Sequence, residues 1–260
     1  MKIGVIMSSF RLPAYEALAK AAEVGADGVQ LRNERGELSP DELDAAGRRR
    51  LREEMSRLGL EISALCADYG KSYAQARQLG WLIPSMRKVV DLANDLEVSI
   101  ITTHVGSIPE DPNDPARAAM AEALDEIGGY AGEKGVKLAT ETGPESPASL
   151  AQFLSEVDSP GLAVNYDPAN LVMNGFDHLG GVKILAPWIV HTHAKDAVRY
   201  PDGRKQEVPL GEGTVDFPTY LKALREIGFD GYLTVEREVG DNPERDIRAA
   251  VEFLKTMDIR

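Results

Sequence analysis

Lys137-Leu-Ala-Thr-Glu141-Thr-Gly-Pro-Glu-Ser146-Pro147-Ala-Ser-Leu150 holds one fold unit in a short run of chain. Lys137 to Thr140 has strand character and an acid closes the strand. Gly143-Pro144 then turns the chain, and Ser146 with Pro147 provides a helix N-cap followed by proline at the first helical position.

Outward from this unit the same rhythm recurs about every 30 residues, which is the mark of repeated βα units. Eight strands are expected: Ile3 to Met7, Gly28 to Leu31, Glu61 to Leu65, Ser99 to Thr103, Lys137 to Thr140, Leu162 to Tyr166, Ile189 to Thr192 and Gly231 to Val235. Ser39-Pro40-Asp41-Glu42 combines a cap, a first-turn proline and a capping-box acid, and predicts a helix from there to about Leu58. Asp216-Phe217-Pro218 and Asn242-Pro243-Glu244 open the last two helices in the same manner. Glycines at Gly25, Gly135 and Gly228 stand where a helix must stop and the chain turn back into a strand. An open doubly wound sheet would want a glycine-rich phosphate loop after its first strand, and Met7-Ser8-Ser9-Phe10-Arg11 has no glycine. The expectation is an α/β chain folded as a (β/α)8 TIM barrel, one domain over residues 1–260, a usual length for that architecture.

Composition narrows the function. The formal charge is −13 and the one basic cluster, around Arg48, alternates with acids on a helix, so nucleic acid is not an expected partner. The opening MKIGVIMSSF is too short an apolar run for a signal segment, and no stretch approaches the ~18 to 20 apolar residues of a membrane span, so a cytoplasmic protein without a membrane partner is expected. The single cysteine, Cys66, allows no internal disulfide and reads as a small buried side chain.

In a barrel of this kind the reactive groups project from the C-terminal strand ends, so a polar residue at the last position of an apolar strand is informative. Glu141, Asp167, His193 and Glu236 are four such interruptions, on strands five to eight, which are neighbours around a barrel. Three carboxylates converging on one point repel each other unless a cation sits among them. Two glutamates, an aspartate and one histidine suit a single hard divalent ion: Mn²⁺ first, with Mg²⁺, Co²⁺ and Zn²⁺ as alternatives. His191, two residues before His193 and therefore on the same strand face one layer deeper, reads as a core histidine. Trp81 and Trp188 read as packing residues in helical segments.

These segments carry a resemblance. Glu141, Asn165-Tyr-Asp167-Pro-Ala-Asn170, His191-Thr-His193-Ala-Lys195-Asp196, Pro209-Leu-Gly-Glu-Gly213-Thr-Val-Asp216-Phe and Gly231-Tyr-Leu-Thr-Val-Glu236-Arg-Glu238, with Thr102-Thr-His104-Val-Gly106 earlier, resemble the xylose-isomerase-like TIM-barrel family of sugar and sugar-phosphate isomerases and epimerases. The resemblance implies metal ligation by the same four residues, proton transfer by the two glutamates, and a dimer or tetramer. Two positions depart from the ketose 3-epimerase pattern: Asn170 stands where those enzymes carry histidine, and Pro147 where they carry a second glutamate, with Glu145 close by. Arg199, six residues after His193, keeps the pattern.

The chemistry expected of such a site is removal of a proton from the carbon beside a ketone, with the ion stabilising the enediolate and Glu141 and Glu236 exchanging the proton. His104, Asn170, Lys195 and Arg199 are the candidate substrate contacts; Lys195 and Asp196 could instead pair with each other. The substrate expected is a ketose, ketose phosphate or related polyol, and Arg11, Arg32 and Lys71 stand where a phosphate could be held. A dehydratase of the inosose dehydratase type and a non-catalytic barrel subunit are the alternatives. An endonuclease is disfavoured by four histidines and the acidic charge.

Overall fold

The computed structural model describes residues 1–257. Eight parallel strands close on themselves: β1 (Lys2–Ile6), β2 (Gly28–Arg32), β3 (Glu61–Cys66), β4 (Ile100–Thr103), β5 (Lys137–Glu141), β6 (Leu162–Tyr166), β7 (Ile189–Ala194) and, last in the chain, β10 (Tyr232–Val235), which pairs with both β7 and β1. Each lies within two residues of its expected bounds. Helices α1 (Ala14–Glu23), α2 (Ala45–Leu58), α3 (Ala76–Asp95), α4 (Pro115–Glu133), α5 (Pro147–Val157), α6 (Pro168–Asn174), α7 (Gly180–Leu185), α8 (Phe217–Glu226) and α9 (Pro243–Lys255) connect the strands. The TIM barrel expected from the sequence is the fold observed.

The caps are where the sequence placed them. Ser146 Oγ accepts from Ser149 N–H, Asp216 from Thr219 N–H and Asn242 from Arg245 N–H, each with proline in the first turn. Branched strand residues such as Val5, Val29, Ile101, Val164 and Leu233 are fully buried between the barrel and the helix layer. Among the described residues no helix is long and apolar enough to cross a membrane.

Three local expectations need correction. The helix predicted from Ser39 starts only at Ala45, because Asp44 caps it through Gly47 N–H at 2.7 Å while Leu38 and Leu43, both buried, hold the preceding segment as turns. Trp188 lies in the turn before β7, not in a helix; its carbonyl accepts from Val164 N–H and so starts the strand ladder. Trp81 does sit in α3, but it is 42% exposed and meets Tyr69 edge-on.

Outside the barrel, β8 (Asp196–Arg199) and β9 (Lys205–Val208) form an antiparallel hairpin that the strand count did not anticipate. Asp196 anchors the loop that leaves this hairpin. Its carboxylate accepts the backbone N–H groups of Ala197, Gly211, Gly213 and Val215 at 2.9 to 3.0 Å. A Cβ at residue 213 would stand 2.1 Å from Asp196 Oδ1, so only glycine lets the loop come that close.

Candidate metal centre

The C-terminal ends of β5, β6, β7 and β10 are consecutive around the barrel, and they bring Glu141, Asp167, His193 and Glu236 together. One potential ligand atom from each lies within 4.8 Å of all the others. His193 Nδ1 is 3.2 Å from Glu236 Oε2, 3.5 Å from Glu141 Oε1 and 3.7 Å from Asp167 Oδ2.

Each carboxylate is held by the local fold. Asp167 caps α6, with Oδ1 accepting from Ala169 and Asn170 N–H at 2.8 and 3.1 Å, so only Oδ2 faces the cluster. The Thr142 hydroxyl binds both the N–H and the carbonyl of Asp167, tying the end of β5 to that of β6. Glu141 accepts from Asn165 Nδ2 at 3.1 Å through Oε2 and from Asn170 Nδ2 at 2.8 Å through Oε1. Glu236 is the most open of the four. Its Oε2 takes a 2.9 Å bond from Lys195 Nζ, and Oε1 accepts no hydrogen bond among the described residues.

The electrostatics are those of a site short of positive charge. Burial pushes the His193 imidazole down, but the carboxylates of Glu141 and Glu236 overcome it and hold the ring well above its usual value. Burial likewise opposes charge on Lys195, and Glu236, Asp167 and Glu238 raise it well above the lysine range. Burial pushes Glu236 up, yet His193 and Lys195 bring it down to about 2. Asp167 is raised by burial, which outweighs the attraction of Lys195. Two protein cations, His193 and Lys195, therefore stand buried among three carboxylates, and His104 adds a third at the rim, shared between Glu141 and Asp68.

These residues fit a divalent ion. Asp167 Oδ2 and His193 Nδ1 are buried and have no hydrogen-bond partner, although both point into the cluster. A buried polar atom left without a partner costs roughly 1 to 3 kcal/mol, which a coordinated ion would offset. With Lys195 as the remaining cation, one divalent ion in place of the His193 proton balances the three carboxylates.

Above the cluster is a cavity of about 270 Å³ whose wall includes Ser8, Arg11, Arg32, Asp68, His104 and Glu238. That is at the small end of ligand pockets, a size for a compact substrate. His104 lies on this wall, with Nδ1 3.0 Å from Asp68 Oδ2 and Nε2 3.5 Å from Glu141 Oε1. The negative charge of Glu141, added to the Asp68 hydrogen bond, pushes its imidazole up to about 11. Asn170 reaches Glu141. Lys195 bonds to Glu236 and Glu238, not to Asp196. Arg199 is exposed, donates to the Met173 carbonyl and does not line the cavity. Arg11 and Arg32 do line it; Lys71 does not. Cys66 is on the wall too, its thiol pushed up to about 11 by burial and therefore protonated.

Sequence reasoning gave no role to Asp68, Asn165, Glu238 or Gln30, although Asn165 and Glu238 lie in the segments that carry the resemblance. Gln30 interrupts the apolar run Gly28-Val-Gln-Leu31 at its middle, not at its end, and was invisible to a search of strand ends.

The profile of the xylose isomerase-like TIM barrel family matches residues 18–257. The chain belongs to that family. Within it, an inosose dehydratase of Geobacillus thermodenitrificans is 27% identical over 137 residues, 46% of each chain. An L-ribulose-5-phosphate 3-epimerase of Salmonella heidelberg is 25% identical over 263 residues, covering 94% of this chain and 91% of the epimerase. The crystal structure of a xylose isomerase domain protein from Planctomyces limnophilus superposes with a TM-score of 0.85 at 24% identity, covering 98% of this chain and 95% of the other, a likeness of fold. Against several curated relatives, the first of them included, the match spans about half to just under two thirds of their length.

Proposed function

We infer that this chain is a divalent-metal-dependent enzyme that moves a proton at the carbon beside a carbonyl of a small polyhydroxylated substrate, an isomerase or epimerase of a ketose, ketose phosphate or related polyol. The observation that carries this reading is the convergence of Glu141, Asp167, His193 and Glu236 with two of their atoms buried and unpartnered. A divalent ion held there would supply Lewis-acid stabilisation of the negative charge that develops on the substrate oxygens.

The chain's own residues divide the rest. Glu236, whose Oε1 is uncommitted, is the carboxylate best disposed to accept a proton. Glu141 is held by two amides and flanked by His104, so a proton on the opposite side passes between Glu141 and the His104 imidazole, which Asp68 orients. Lys195 keeps Glu236 anionic and in place. Arg11, which donates to the Glu238 and Gly240 carbonyls, and Arg32, which pairs with Glu34, bring guanidinium groups to the far wall, where an anionic substituent would compete for them.

A dehydratase is the second reading. His104, oriented by Asp68 and 3.5 Å from Glu141, stands where it can deliver a proton to a departing hydroxyl, and five of the curated relatives are named as inosose dehydratases. Metal analysis of the purified protein, followed by turnover of a panel of free ketoses, ketose phosphates and inososes with Mn²⁺, tests both. Absence of bindable metal removes the reading, and loss of water from an inosose with no epimerisation of any ketose favours the second.

A further inference from the structure

Beneath the metal ligands, inside the barrel, lies a buried polar chain that joins β2 to β4, β7 and β10. Gln30 is at its centre, 1% exposed. Its Nε2 donates to Thr102 Oγ1 at 2.9 Å. The Thr102 hydroxyl can in turn donate to the Leu65 carbonyl at 3.4 Å, which leaves its oxygen to accept from Gln30 and favours this orientation of the amide. Gln30 Oε1 then faces two rings, His191 Nε2 at 3.0 Å and His193 Nε2 at 3.1 Å.

A carbonyl oxygen only accepts, and it has lone pairs for two donors. The two contacts are satisfied when both imidazoles present Nε2–H to Gln30, His191 sharing its hydrogen with Thr234 Oγ1 of β10 at 3.0 Å. A bare Nε2 at this distance would set lone pair against lone pair where no water can intervene. Asn165 Nδ2, also 3.1 Å from His193 Nε2, has one hydrogen for Glu141 Oε2 and a second that favours a bare Nε2, so Gln30 Oε1 is the group that offsets it and draws the ring hydrogen to Nε2. With the hydrogen fixed on Nε2, His193 turns Nδ1 toward the carboxylates, and that is the atom found buried and without a partner.

We propose that Gln30 is a positioning residue for the metal centre, acting through His193: by accepting the Nε2 hydrogen it keeps Nδ1 available as the ligand atom and fixes the ring plane. The inference rests on the metal reading above and adds to it a residue on the opposite side of the barrel, from a strand that carries none of the four ligands.

Outer partners of this kind typically change metal affinity by about 10- to 100-fold. Isothermal titration with Mn²⁺ is expected to show that weakening in Gln30→Met, which keeps side-chain length and removes the acceptor. Gln30→Glu, which keeps an acceptor oxygen within the same reach and adds negative charge beside His193, binds Mn²⁺ at least as tightly as wild type, and Thr102→Val, which frees the amide to rotate, falls between wild type and Gln30→Met. A second readout is independent of affinity. Long-range ¹H–¹⁵N spectra of the four histidines in Zn²⁺-loaded wild type are expected to show His193 with hydrogen on Nε2 and the metal on Nδ1. Wild-type affinity in folded Gln30→Met, or metal on Nε2, overturns the proposal. If Gln30→Met does not fold, Thr102→Val and the spectra decide. A wild-type protein that binds neither ion overturns the metal reading and this proposal together, whereas tight binding by both wild type and Gln30→Met overturns this proposal alone.

Discussion

Replacing Lys195 by methionine removes one of the two fully buried protein cations among three carboxylates while keeping the side chain's approximate length. Lys195 Nζ stands 2.9 Å from Glu236 Oε2 and 3.7 Å from Asp167 Oδ2. At an effective dielectric constant of ~20 those separations correspond to about 6 and 4 kcal/mol of attraction. Several kcal/mol of desolvation opposes them, and breaking a buried pair from one side typically leaves a loss of about 3 to 5 kcal/mol. At roughly 2 to 4 °C per kcal/mol for a chain of this size, Tm of the metal-stripped variant should fall by about 10 °C. Added Mn²⁺ supplies the missing positive charge, so the gap between variant and wild type should narrow. Thermal unfolding followed by circular dichroism, with chelator and then with Mn²⁺, measures both. An unchanged Tm in chelator, or an equal deficit with and without metal, refutes the account of a cluster short of positive charge.

Glu236→Gln should lower kcat by at least ~10²-fold, the scale of a lost general acid or base, with an unchanged circular dichroism spectrum; activity within tenfold of wild type removes Glu236 from proton transfer. Turnover in deuterated water should place solvent deuterium at the reacting carbon of the product, and mass spectrometry finding none would point to a direct hydride shift. Glu145 has its carboxyl pushed up to about 7 by burial, so the folded protein holds a proton that the unfolded chain releases near its ordinary value of 4.5. Its contribution to stability is complete at pH 4 and is lost as the pH rises to about 7, by roughly 3 kcal/mol in all. Glu145→Gln should therefore match wild type near pH 4 and exceed it in Tm at pH 8, and a difference that does not vary with pH counts against the burial argument. Asp196→Ala leaves the N–H groups of Gly211, Gly213 and Val215 without their acceptor, and limited proteolysis should then cut the chain between residues 209 and 215.

The barrel was legible because its evidence is local and repeated. Each strand is a short branched run and each following helix carries its own cap, so Ser146, Asp216 and Asn242 could be read without knowing what packs on them. The candidate cluster was legible for a related reason: Glu141, Asp167, His193 and Glu236 are polar residues at or next to the last position of their strands. Ser39 misled because a capping box specifies a helix start only if the chain can continue from it, and burial of Leu38 and Leu43 with a competing cap at Asp44 moved the start toward the C-terminus. Gln30, Asp68 and Glu238 were out of reach because their roles depend on partners 36 to 163 residues away, a distance that only closure of the barrel removes.

The four ligand-bearing strands are one contiguous half of the cylinder, while Ser8, Arg11, Arg32, Asp68 and His104 of the cavity wall come from the other half. Loops after β1 to β4 can therefore be exchanged to suit a different substrate while the strands that carry the four candidate ligands stay in place, provided the contacts of His104 with Glu141 and of Ser9 with the Arg237 N–H are kept. Gln30 is a further tether between the halves, inside the barrel and beneath the cluster. Loop grafts that respect it keep the ion's seat intact, and a graft that shifts β2 by one residue would turn that glutamine toward the helices and disturb the centre from below.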